Sequence, residues 1–242
     1  MCCVVVCPRT IRRHLRRLGY RMVRPVLFVS SPDPHYQKKV KKLASLQRRA
    51  REGKIILLYE DEVDLNLLPG VMSCWTKCGT QKKVRTPGQN VKRYGFGAVD
   101  YVTGHIVFQT SEHKDSASFC RLVQDIMHQY DNDKSGNDKS GNDKSGNDKR
   151  RIVLVLDNYI IHSSKITQKG LVPYQDRLST FFLPTYSPQL NCIELLWRHL
   201  RRIVTHNHLF ANIQALLDAV GIFIDSMNRR PQQVLSVVGA SQ

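Results

Sequence analysis

No stretch of the 242-residue chain is apolar for the 18 or so residues that a membrane-spanning helix needs. The opening segment MCCVVVCPRT is apolar for only six residues and has no basic leader, so it does not read as a secretory signal. Cysteines number seven, at positions 2, 3, 7, 74, 78, 120 and 192. An odd count at irregular spacing argues against a disulfide framework and for a reducing, cytoplasmic setting. Cys74 and Cys78 offer two zinc ligands, but no second pair stands at zinc-finger spacing. Acidic residues are scarce as well. Twenty Asp and Glu face 37 Lys and Arg, a formal charge of +17. That excess favours a polyanionic partner, with nucleic acid ahead of a membrane surface because no basic amphipathic anchor or lipidation signal is present.

The segment from 132 to 149 lacks apolar residues altogether. It repeats NDKSG three times and closes on NDK, so residues 131–150 are expected to form a disordered surface loop inserted between a helix and a strand. Its aspartates lack the ligand pattern and terminal Glu of a calcium loop.

The rest of the chain divides by pattern. In residues 1–24, PRTIRRHLRRLGYRM predicts a short helix closed by Gly19. Ile11, Leu15 and Leu18 form one stripe, and Arg12, Arg13, Arg16 and Arg17 lie on the other faces, where they suit DNA phosphates. Such a helix looks like the last helix of a helix-turn-helix; a solvated basic helix is the plainer alternative. Residues 25–53 read as a basic linker and helix, opened by Pro34, with a narrow stripe of Val40, Leu43 and Leu46. From residue 54 to 242 the pattern is mixed α/β. KIILLYED, MSCWTKCG and VKRYGFGAVDYVTGHIVFQT predict four strands with a turn at Thr103–Gly104. A helix over SASFCRLVQDIMHQY, the strand RIVLVLD, a short helical stretch and the strand LSTFFLPT follow. Helices over LNCIELLWRHLRRIVTH and about 212–227 end the pattern. Ile193, Leu196, Leu200 and Ile203 line the first of these helices, with Trp197 beside them as a core residue.

Three acids stand where patterning alone does not require them. Asp61 falls just past the first apolar strand, Asp157 ends RIVLVLD, and Glu194 lies on the helix after YSPQLN. Acids at the carboxyl ends of neighbouring buried strands meet at one edge of a sheet. A following helix can aim a third carboxylate at the same point. Three converging carboxylates repel one another unless a cation neutralises them, and hard oxygen ligands suit Mg²⁺ or Mn²⁺. Two such ions about 3.5–4 Å apart can activate an attacking hydroxyl and stabilise the leaving oxygen at a phosphodiester. Taken singly, each acid is as well explained as a strand-end cap or a surface charge. Glu62 and Asp64 are neighbouring acids; alternation sends Glu62 to the opposite face if the strand continues.

The strings YEDEVDLNLLPG, CWTKCGTQ, VLDNYIIH and FFLPTYSPQLNCIELLW resemble the catalytic core of Tc/mariner-type DDE transposases, the bacterial insertion-sequence group numbered six-thirty in particular, from about Lys54 to His208. The resemblance implies an RNase H-like fold, a mixed five-stranded sheet flanked by helices. It places the acids on Asp61, Asp157 and Glu194, with two Mg²⁺ (or Mn²⁺) ions implied between them. The implied activity is nicking at insertion-sequence ends and attack of the freed 3′-hydroxyl on target DNA, usually at TA, by a homodimer paired on DNA in the bacterial cytoplasm and nucleoid. Asn158 and His162, in the family-like order after Asp157, would orient a ligand or touch phosphate; helix capping and a surface histidine are the alternatives. Trp75 matches a family strand-turn segment and is expected in the core or at a partner contact. Cys192 stands where the family commonly has Pro, and a full upstream DNA-binding region is expected in the family but not seen here. A catalytically idle DNA-binding transposase remnant is therefore the competing expectation.

Overall fold

The computed structural model describes residues 7–23, 30–132 and 150–240; the NDKSG repeat lies outside them. Two units are distinguished, residues 1–30 and 31–242. In the first, helix α1 (Pro8–Arg17) starts on Pro8 and is closed by Gly19 at φ +83°. Pro suits a first helical turn, and Gly a left-handed helix end. Arg12, Arg13, Arg16 and Arg17 are all exposed, and none of the helix's residues is buried. A single helix does not define a helix-turn-helix.

The second unit is built on five strands in the order β3-β2-β1-β4-β5. These are β1 (Ile55–Asn66), β2 (Lys92–Asp100), β3 (Ile106–Ser111), β4 (Arg151–Leu156) and β5 (Leu178–Phe182). β1–β2 and β2–β3 pair antiparallel, whereas β1–β4 and β4–β5 pair parallel. The β2–β3 hairpin turns as expected at Thr103–Gly104. Asp100 Oδ1 accepts the backbone N–H groups of Val102 and Thr103, and Gly104 takes φ +75°.

Alternation along β1 sorts the core into two layers. Ile55, Leu57, Tyr59, Val63 and Leu65 face α2 (Tyr36–Arg51), α6 (Ile193–Leu200), α7 (Ile213–Asn228) and α8 (Pro231–Val237). Ile56 and Leu58 face α3 (Ser116–Asn132) and the short helices α4 (Ile160–Ser163) and α5 (Lys165–Leu171). Basic helix α2 packs on the sheet through buried Leu43, Leu46 and Ala50, and Gln47 donates to the Tyr59 hydroxyl. No helix among the described residues is long and apolar enough to cross a membrane.

Four local expectations are corrected. MSCWTKCG is not a strand: residues 71–77 are irregular, and Trp75 is fully exposed rather than core. Residues 71–80 are all exposed and pair with no strand of the sheet, so nothing sustains an extended ladder there. The helix over LNCIELLWRHLRRIVTH is α-helical only through Leu200 and continues as a π turn, Arg201–Thr205. The wider turn shifts the helical phase, so Ile203 leaves the stripe and is 60% exposed. Asp61 lies inside β1 rather than past its end. Of the two readings offered for His162, the surface one fails, because the side chain is buried.

Candidate active site

β1 is twice as long as β4, and this difference creates the site. β4 pairs with β1 only up to Tyr59↔Val155, so beyond Tyr59 that edge of β1 is open. Carrying the register two residues further sets Asp61 beside Asp157. On the other side of Asp61, Gly97 is its partner in β2. Gly97 has no side chain, and Trp197 of α6 rests on the space; a Cβ there would lie 2.5 Å from Trp197 Cη2. Trp197 is fully buried. It therefore fixes α6 on the sheet, with Glu194 one turn earlier.

The approach to α6 is fixed separately. Asn191, itself buried, donates from Nδ2 to the Glu60 carbonyl at 2.9 Å. Cys192 follows as the helix cap without a side-chain capping bond, and burial pushes its thiol up to about 12. It is a neutral filler where a Pro would have preset the first turn.

Asp61, Asp157 and Glu194 line one open cavity of about 400 Å³, together with Asn158, Tyr159 and the loop 183–188. Burial pushes the Asp61 carboxyl up to about 8, and Glu194, Glu62 and Asp157 add repulsion. At Asp157 burial acts upward, but contact with His162 and the Tyr159 N–H brings the carboxyl below its usual value. Arg201, on the π turn, stands 4.0 Å from Glu194. The three carboxylates thus share a cavity with one of them disfavoured as an anion. A donor set of oxygens only suits Mg²⁺ or Mn²⁺.

Asn158 does not cap α4, whose cap residue is Tyr159. Its Nδ2 donates to the Leu183 carbonyl at 2.7 Å, tying the end of β4 to the end of β5. His162 approaches Asp157 from the opposite layer, with Nε2 3.2 Å from Oδ1. There it meets a second group of acids. Glu60 and Glu62 point to that layer and are buried with His162, and one donor atom from each lies within 4.8 Å of the others. Burial and the Glu62 charge raise Glu60 well above the carboxylate range, whereas Lys114, 3.3 Å from Glu62, moderates the rise at Glu62. Alternation identified the face of Glu62. The same alternation puts Glu60 on that face, but it carried no signal for the burial of Glu60, for Lys114 or for the partnership with His162. Cys74 and Cys78 are exposed and join no group of three metal-ligating side chains among the described residues.

A five-stranded sheet with one antiparallel wing, helices on both faces and acids beside the open edge of its longest strand defines an RNase H-like fold. Solved structures with this architecture include the Mos1 mariner paired-end complex with Mn, at 12% identity and TM-score 0.64 over 97% of this chain and 69% of that one. The Mos1 strand transfer complex matches at 12% identity and TM-score 0.61 over 96% and 70%. The family model described as DDE superfamily endonuclease matches residues 56–217, and the chain belongs to that family. It is 33% identical over 226 residues to the insertion element IS630 uncharacterized 39 kDa protein of Shigella sonnei. The match covers 92% of this chain and 60% of that relative.

Proposed function

We propose that the chain is the catalytic core of an insertion-sequence transposase, which cuts DNA strands at the element's ends and joins the freed 3′-hydroxyl to target DNA at TA. The observation that carries this is the arrival of Asp61, Asp157 and Glu194 in one cavity from three separate elements, β1, the end of β4 and the start of α6. These carboxylates would hold Mg²⁺ or Mn²⁺, as a pair of ions. When bound, the metal supplies an activated hydroxyl and stabilisation of the leaving oxygen.

The protein's own groups then have defined tasks. Asp61, disfavoured as an anion by burial, would be held ionised by a bound cation. Asp157 is kept ionised by its contact with His162 and by the Tyr159 N–H, and Asn158 holds the strand end that carries it. Trp197 and Asn191 aim Glu194. Arg12, Arg13, Arg16 and Arg17 on α1 are proposed to contact DNA phosphates. Two copies of the chain, one per element end, are proposed to act together in the bacterial cytoplasm, associated with the nucleoid.

The test is cleavage of a duplex bearing the element's end, copied from the DNA flanking the coding frame. Wild-type protein should cut it with Mg²⁺ or Mn²⁺ and not with EDTA, and Asp157→Asn should fold normally and not cut. Equal cutting by Asp157→Asn would refute the assignment. Salt-sensitive DNA binding by wild type without cutting under either metal would favour the idle remnant.

A further inference from the structure

We infer that Tyr186 is the DNA-gripping residue of this cavity, stacking its ring on a nucleobase next to the phosphate that is cut. This rests on the proposed nuclease function and adds to it the contact that holds the substrate.

The loop Leu183–Pro188 forms one wall of the cavity and is fixed at nearly every residue. The Leu183 carbonyl accepts Asn158 Nδ2, the Thr185 carbonyl accepts Ser31 Oγ at 2.5 Å, and Ser187 is buried with its carbonyl bound to the Leu190 N–H. Pro184 and Pro188 bracket it. Tyr186 alone departs from this pattern. Its backbone is left-handed, φ +54°, and the residue is 66% exposed. That conformation is natural to Gly and strained for a bulky side chain, and strain of this kind persists where the surrounding structure enforces it and clusters at functional sites. No packing explains the ring, because it is packed against little.

Charge indicates what the ring is for. The carboxylates of the cavity and Arg201, 4.0 Å from Glu194, are suited to cations and phosphate and offer no surface to a nucleobase. A grip on the base beside the cut phosphate therefore needs an uncharged contact. Aromatic faces provide one, because stacking on a base is tolerant of sequence. Tyr186 is exposed and lines the same cavity as Asp157 and Glu194, on a backbone held in the left-handed region. A base drawn out of the duplex onto this ring would leave its phosphate over the acids.

The experiment uses the same end duplex, with 2-aminopurine placed immediately to either side of the cut phosphate. Asp157→Asn protein binds it, so fluorescence is read without cutting. One of the two positions should be quenched on binding. The quench should be lost in Asp157→Asn/Tyr186→Ala and kept with Phe or Trp at 186. In cutting assays Tyr186→Ala should be slower by about 5- to 150-fold, the effect of losing one base stack. An abasic site at the quenched position should slow wild type comparably and leave Tyr186→Ala unaffected. Tyr186→Gly should lose the quench while melting at or above the wild-type temperature, because the backbone strain is relieved. Quenching that survives Tyr186→Ala, abasic and alanine effects that multiply, or a destabilised Tyr186→Gly would each overturn the proposal. Absence of cutting by wild type, with the quench present, would count against the nuclease function and leave the stacking standing.

Discussion

Gly97→Ala adds one methyl group at the point where the sheet, α6 and the acidic cavity meet. The new Cβ would lie 2.5 Å from Trp197 Cη2 and 2.9 Å from Cζ2, against about 3.5–4.0 Å for relaxed carbon contacts. The indole must withdraw by about 1 Å, and it is too enclosed to do so without α6. Overpacking of this kind costs about 1–3 kcal/mol, a fall of about 2–12 °C in melting temperature for a chain of this size. The larger effect should be on chemistry. Glu194 is one turn from Trp197, and a displacement of about 1 Å in a reacting group can cost about 10²-fold in rate. Metal-dependent cleavage of the end duplex and thermal melting would be measured for Gly97→Ala, Trp197→Phe and the double variant. Phe lacks the ring atoms that clash, so the double variant should recover much of what Gly97→Ala loses. Wild-type behaviour of Gly97→Ala, or strictly additive losses in the double variant, would refute the proposed role of Trp197 in aiming Glu194.

Other perturbations follow from the same geometry. The Asp61 carboxyl, raised to about 8, keeps in the folded state a proton that the unfolded chain has lost above its ordinary value. Its contribution to stability is therefore present at low pH and declines as pH rises through about 8. A bound Mg²⁺ would compete with that proton, so the rise in melting temperature on adding Mg²⁺ should be larger at about pH 8.5 than at about pH 6; an equal or reversed gain contradicts it. Glu60, fully buried and raised well above the carboxylate range, should tolerate Gln at a cost of no more than about 1 kcal/mol. A loss of about 3–5 kcal/mol in denaturant unfolding would mean that a paired charge had been removed instead. Asn191→Ala breaks the buried bond to the Glu60 carbonyl and should cost about 1–3 kcal/mol by melting and reduce cleavage. Asp at 191 should not rescue it, because a carboxylate has no donor.

Much of the site was legible in sequence because its acids end or extend strongly patterned elements. RIVLVLD and KIILLYED each read as a buried strand meeting an acid, and the string before Glu194 carried the family resemblance. Lengths and partners were less legible. Asp61 was expected past a strand end because apolarity stops at Tyr59, yet β1 runs on to Asn66. Pairing with β2 sustains it, and that pairing is non-local. Glu60 breaks the apolar pattern and is nevertheless fully buried, because His162 and Lys114 approach from distant segments. Gly97 was silent for a related reason, since its role appears only when Trp197 is laid against it. The residue-to-residue pattern did foretell that Trp197 would be core, and gave no warning that the helix behind it would widen into a π turn.

The central claim is that Asp61, Asp157 and Glu194 form the metal site. Crystals of the protein soaked in Mn²⁺ and measured for anomalous scattering test it most directly. The predicted result is one or two peaks in the open cavity, each within about 2.2 Å of carboxylate oxygens of these three residues. Peaks confined to the buried Glu60–Glu62–His162 group on the opposite face, with the open cavity empty, would contradict it.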